Sequence, residues 1–98
     1  MADEDHQPAE YKDFELAYEQ RLNLKEIERC IHENCYVNET MCREHIDLLE
    51  NMDSEVASAI ENERRVGRYN ATAKHDLEKI RKLLRTLEGK LDEFDKTP

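Results

Sequence analysis

The chain is predicted to be all-α: an elongated helical rod, one long helix or two consecutive ones, making coiled-coil or bundle contacts with partner chains. Three observations carry this. Leu77, Ile80, Leu84, Leu87, Leu91 and Phe94 alternate three and four residues apart, which sets them on one seam of an α-helix, the a and d positions of a heptad. Apolar residues make up 38% and charged residues 40%, with two glycines, two prolines and no tryptophan, the composition of long solvated helices. The prolines, Pro8 and Pro98, stand at the edges, so nothing between them forces a helix to stop. One helix over residues 9–95 would be ~130 Å long. It would have no core of its own, and partners would have to supply the packing.

Residues 1–8 read as a disordered acidic tail, and Pro8 suits the first turn of a helix. Residues 9–37 form the N-terminal helix, with Phe14, Tyr18, Leu22, Leu24, Ile27 and Ile31 in a broad stripe. Helix propensity is weakest over residues 34–40, Asn-Cys-Tyr-Val-Asn-Glu-Thr. A break is placed there, with Asn38 or Thr40 as a new cap.

Residues 38–95 form the second helix. Run backwards, the seam passes through Ala73, Asn70, Val66, Glu63, Ala59, Val56, Met52, Leu49 and Cys42. Glu63 and Asn70 interrupt it at a positions, where polar residues cost stability but fix register. Gly67 and Gly89 each cost ~1 kcal/mol relative to alanine in a helix. Leu48, Ile60 and Leu83 widen the seam, which favours a bundle of several helices. The seam from Leu49 to Phe94 is expected to be covered only on assembly.

The net charge of −9 argues against non-specific nucleic-acid binding. The charge is polarised. Acids crowd residues 1–20, while Arg64, Arg65, Arg68, Lys74, Lys79, Arg81, Lys82, Arg85 and Lys90 gather in residues 64–90. Such polarity orients partners. No apolar run reaches the ~18 residues of a membrane span. An acidic start without a signal peptide, and Ala2 in place of a myristoylated glycine, lead to the expectation of a cytoplasmic chain.

In this register Leu77 is an a position, with Asp76 at g and Lys74 at e, so one core leucine sits between opposite rim charges that select partners. The stretch Lys74-His75-Asp76-Leu77-Glu78-Lys79-Ile80, continued by Arg85-Thr86-Leu87 and Gly89-Lys90-Leu91, resembles the C-terminal core of the KxDL motif-containing protein family. The resemblance covers about a fifth of the chain. It implies a small helical subunit of BORC, the BLOC-one-related complex, or of a BLOC-one assembly. These complexes act on the cytosolic face of lysosomes and endosomes, in lysosome positioning and the making of lysosome-related organelles. On that expectation the chain is a peripheral scaffold, held at the membrane only through its complex. Its partners are other small helical subunits, bound through Leu49, Met52, Val56, Lys74, Asp76, Leu77, Ile80, Leu84, Leu87 and Leu91. The competing class is a homo-oligomeric coiled coil of a cytoskeletal, kinetochore or vesicle-tethering assembly. The interrupted seam and the charge polarity favour hetero-assembly.

Cys30, His32, Cys35, Cys42 and His45 are the one cluster with ligand chemistry. Their spacing lacks the paired elements of a structural zinc module, so no metal or cofactor is expected, and Cys35 and Cys42 are read as small seam residues. There is no Gly-rich phosphate loop and no nucleophile with a base, so no enzymatic activity is expected. The seam of residues 64–91 lacks tryptophan and keeps a tight heptad, which suits helix partners better than a lipid surface.

Overall fold

A computed structural model describes residues 13–96 of the chain. These residues form three helices, α1 (Tyr18–Glu33), α2 (Glu39–Arg65) and α3 (Ala71–Lys96). The all-α class stands, but the chain is an up-down-up bundle of 68 × 23 × 18 Å, not a rod of one or two helices. The segment expected as one helix over 38–95 folds back on itself at residues 66–70. The N-terminal helix expected over 9–37 starts only at Tyr18. The expected acidic tail, with Pro8, lies outside the described residues.

Each break has a local cause. Asn34 ends α1 with φ 56°, the left-handed conformation that asparagine tolerates. The Cys35 N–H donates to the Cys30 carbonyl at 2.9 Å, closing the last turn. The Asn38 side chain then accepts from the Met41 N–H at 2.9 Å, the N-cap expected there.

The second break is the correction. Gly67 has φ 79°, a left-handed conformation that costs an L side chain roughly 1–2 kcal/mol. Its N–H donates to the Arg64 carbonyl, and that of Arg68 to the Glu63 carbonyl, each at 2.9 Å. These bonds satisfy carbonyls left over at the end of α2. Three residues later the Asn70 side chain accepts from the Ala73 N–H at 2.9 Å and caps α3. Gly67 therefore terminates a helix rather than weakening one.

The seam is thus divided between two antiparallel helices, and each half covers the other. Cys42, Leu49, Met52 and Val56 of α2 meet Ala73, Ile80 and Leu87 of α3 in one core. α1 adds Leu24, Ile27 and Cys30. Ile27, Leu49, Val56, Ile80 and Leu87 are fully enclosed, which is worth ~1.5–3 kcal/mol for each such side chain. Burial of the inner seam needs no partner chain.

Candidate helix-docking face

Two polar clamps hold residues 13–33 onto the hairpin. Glu63 is 5% and Asn70 7% exposed. The Asn70 amide donates to Glu63 Oε1 and to the Phe14 carbonyl, each at 3.0 Å. The Phe14 N–H donates to Glu63 Oε2 at 2.8 Å. Both seam interruptions therefore serve one purpose, anchoring the strand of chain that enters α1 at the hairpin tip. A buried carboxylate satisfied by donors in this way is far less costly than a bare one.

The second clamp is Asp76. It is 6% exposed and accepts from the Arg21 guanidinium of α1 at 3.1 Å. Asp76 of the Lys-x-Asp-Leu motif is thus an internal tie, not a rim charge held out to a partner. Lys79–Glu28 at 3.4 Å, Gln20–Glu55 at 2.6 Å and Lys90–Asn34 at 3.2 Å continue along the same side. These contacts fix α1 to one face of the hairpin.

The opposite face follows from helix geometry. On α3 the enclosed line is Ala73, Ile80 and Leu87. Asp76 and Lys90, three residues further on, flank it on the α1 side. Leu77, Leu84 and Leu91, four residues further on, flank it on the other. On α2 the matching residues are Ile46, Asp53 and Ile60, at the same seven-residue spacing. Leu77, Leu84, Leu91 and Ile60 are only partly buried. Among the described residues, the hydrogen bonds and ion pairs of α1 all go to the other side.

The open face is a groove with a cleft at each end. Near the hairpin tip, Ile60, Leu77 and Tyr69 form a floor edged by Arg64, Arg68 and Lys74. At the far end, Ile46 and Leu91 are edged by Asp47, Glu50, Glu88 and Arg43. Between them Arg81 reaches across to Asp53 at 2.9 Å.

The residues singled out as partner-binding therefore divide. Leu49, Met52, Val56, Ile80 and Leu87 lie in the chain's own core, and Asp76 is tied to α1. Leu77, Leu84 and Leu91 line the groove and Lys74 edges it. Reasoning from sequence named Ile60 only as widening the seam, and missed Ile46 and Asp53. Their heptad spacing was the available signal, hidden because Asp53 interrupts it.

Cys30, His32, Cys35, Cys42 and His45 lie around the α1–α2 junction. Burial pushes the Cys30 thiol up to about 11 and raises that of Cys42, so both are protonated and weak nucleophiles. Burial likewise lowers the pKa of His45 and raises that of Tyr36. The Tyr36 hydroxyl and His45 Nδ1 lie 2.7 Å apart, within hydrogen-bond distance. Among the described residues no group of three or more His, Cys, Asp or Glu side chains is placed to hold a metal ion. No described helix is long and apolar enough to cross a membrane.

No protein-family model matches the chain, and no curated protein or solved structure matches it either.

Proposed function

We propose that the chain is a non-enzymatic scaffold subunit of a multi-chain helical assembly, and that the α2–α3 groove is where another chain's helices dock. The observation that carries the reading is the placement of Leu77, Leu84 and Leu91. The fold encloses one line of the apolar repeat and leaves this second line at the surface, with Ile46 and Ile60 facing it across the groove. A three-helix bundle with an open apolar flank is completed by further helices into a four-helix arrangement.

The finer proposal follows the resemblance of Lys74–Leu91 to KxDL proteins, which rests on those residues alone. The assembly is then BORC or a BLOC-one relative on the cytosolic face of lysosomes or endosomes, acting in their positioning and in making lysosome-related organelles. The chain's other partners are small helical subunits of that complex, and any hold on the membrane comes through them. Within this reading Leu77 supplies docking surface, while Asp76 shapes that surface by fixing α1 on the far side.

The test is affinity purification of the tagged chain from its native cells, with wild type and Leu84→Asp side by side. The expected result is recovery of small coiled-coil subunits of a lysosomal or endosomal complex with wild type and their loss with Leu84→Asp. Recovery of cytoskeletal proteins only would remove the lysosomal proposal. Equal recovery of helical subunits with both forms would remove the groove as the docking site.

A further inference from the structure

The C-terminus of α1 is closed by two backbone hydrogen bonds, one nested in the other. The Cys35 N–H donates to the Cys30 carbonyl at 2.9 Å and the Asn34 N–H to the Ile31 carbonyl at 3.2 Å. Asn34 supplies the left-handed residue that this closure needs. The pattern turns the chain back over the last helical turn and sets the side chains at its two ends against each other, a contact ordinarily made by two apolar groups. Here both ends are cysteines, Cys30 and Cys35. The path from Cα to Cα through their hydrogen bond is about 7 Å laid straight, and shorter because it bends at the carbonyl. That is within reach of a disulfide, which fails only beyond about 7 Å.

The two thiols differ in a way that gives them separate parts. Cys30 is enclosed. Its thiol donates to Glu26 Oε2 at 3.5 Å, and the Cys35 sulfur lies within hydrogen-bonding reach of it. Burial, then the Glu26 carboxylate, keeps Cys30 protonated. Cys35 is partly exposed, so a small oxidant reaches it first. Cys42 is set apart from this pair. It is fully enclosed, and its thiol donates to the Leu87 carbonyl of α3 at 3.4 Å.

We propose that Cys30 and Cys35 form a peroxide-sensitive dithiol site, in which Cys35 is oxidised first and Cys30 then closes an intrachain disulfide across the end of α1. The Cys35 sulfur attacks one oxygen of hydrogen peroxide, the O–O bond breaks, and the leaving hydroxide takes up the thiol proton as water. Cys35 is left as a sulfenic acid, S–OH. The Cys30 sulfur attacks the Cys35 sulfur, the S–O bond breaks, and the hydroxyl leaves with the Cys30 proton as a second water. Two thiols and one peroxide give one disulfide and two waters, and the two electrons lost by the sulfurs reduce the peroxide. The cap already holds the two side chains together, so the second step is intramolecular and outruns further oxidation of Cys35. Only four residues separate the cysteines, so closing the loop adds little stability. The bond is a reversible mark rather than a staple. It removes the Cys30 donor from Glu26 and is made at the junction that Lys90 of α3 holds through Asn34.

Peptide mapping of the purified full-length chain, reduced and then treated with equimolar hydrogen peroxide, tests this. Free thiols are alkylated in denaturant and the chain is cleaved after its glutamates and arginines, which places Cys30 in residues 30–33, Cys35 in 34–39 and Cys42 in 40–43. The expected product links 30–33 to 34–39 within one chain, reopens with dithiothreitol and leaves Cys42 alkylated. In Cys30→Ala, dimedone should trap the Cys35 sulfenic acid about tenfold or more above wild type, because the closing step is gone. The wild-type map decides the site even if that variant unfolds. A disulfide between two chains, a bond from either thiol to Cys42, or Cys35 driven to sulfinic acid beside an alkylated Cys30 overturns the proposal. So does a chain whose three thiols all remain open to alkylation, or equal dimedone labelling of wild type and a folded variant.

Discussion

The two flanks of α3 differ in composition and in what they meet. On one side of the enclosed line, Asp76, Lys79 and Lys90 reach α1 through Arg21, Glu28 and Asn34. On the other, Leu77, Leu84 and Leu91 stand half-buried. The more apolar flank is thus the open one, and the flank covered by the chain itself is held largely by charge pairs. Where a chain covers its own surface with polar ties, the apolar surface it leaves uncovered is the better candidate for assembly. Hydrophobicity alone does not say which leucine is core. Burial in the folded hairpin does: Leu87 is fully enclosed and Leu84 only partly buried.

The largest expected effect breaks the shared core between the flanks. Ile80 is fully enclosed, so Ile80→Ala should cost about 2–5 kcal/mol in urea unfolding. Leu84→Ala, on the open face, should cost much less in the monomer. Equal losses would erase the distinction between the flanks.

Next is the clamp at the tip. Asn70→Ala removes the α3 cap and both donors to Glu63 and Phe14. It should cost about 2–3 kcal/mol, the sum of a cap and an under-satisfied buried carboxylate. The same variant should speed amide exchange at Phe14 while leaving the middle of α3 protected. Uniform exchange throughout the chain would show that the entering strand is not anchored there.

The smallest effect is in pH. Burial holds the pKa of His45 below its ordinary 6.5, against a raising influence from Glu26 of α1 and Glu44 of α2. The unfolded chain therefore binds a proton that the folded chain resists. His45 contributes stability above pH 6.5, which is lost as pH falls through the lower folded value. The melting temperature should drop as pH falls below 6.5, and His45→Gln should flatten that slope. A wild-type melt constant over this range would show His45 equally solvated in both states.

Much of this fold was legible in the sequence. The all-α class, a new cap at Asn38 or Thr40 and the seam all came from spacing and composition, because helical period and cap chemistry are local; the structure selects Asn38. The hairpin was missed for an identifiable reason. The heptad keeps one register from Leu49 to Leu91, with only Glu63 and Asn70 interrupting its apolar positions, across a turn that keeps phase on both sides. The contrary signals were Gly67 after Arg64-Arg65 and Asn70 ahead of Ala71. Basic residues, then glycine, then a capping asparagine are the marks of a helix end followed by a helix start. Glu63 and Asn70 read as flaws in a partner seam because their true partners, the backbone of Phe14 and each other, are contacts made only after folding. Asp76 was misplaced similarly, since Arg21 is 55 residues away in sequence. The groove was half legible: its α3 row was named from the motif stretch, but its α2 row is interrupted by Asp53, whose role depends on Arg81 across the hairpin.

The most direct test places one charge on each side of the division. Leu84 and Leu87 lie three residues apart on a single seam and cannot be told apart by spacing. Leu87→Asp and Leu84→Asp should be compared by thermal melting followed by circular dichroism. The account predicts that Leu87→Asp, in the enclosed core, loses the cooperative transition and most of its helix. Leu84→Asp should keep its helix and melt cooperatively as a monomer. If both variants unfolded alike, Leu84 would belong to the core and the docking face would not exist. If both stayed folded, the hairpin core itself would be wrong.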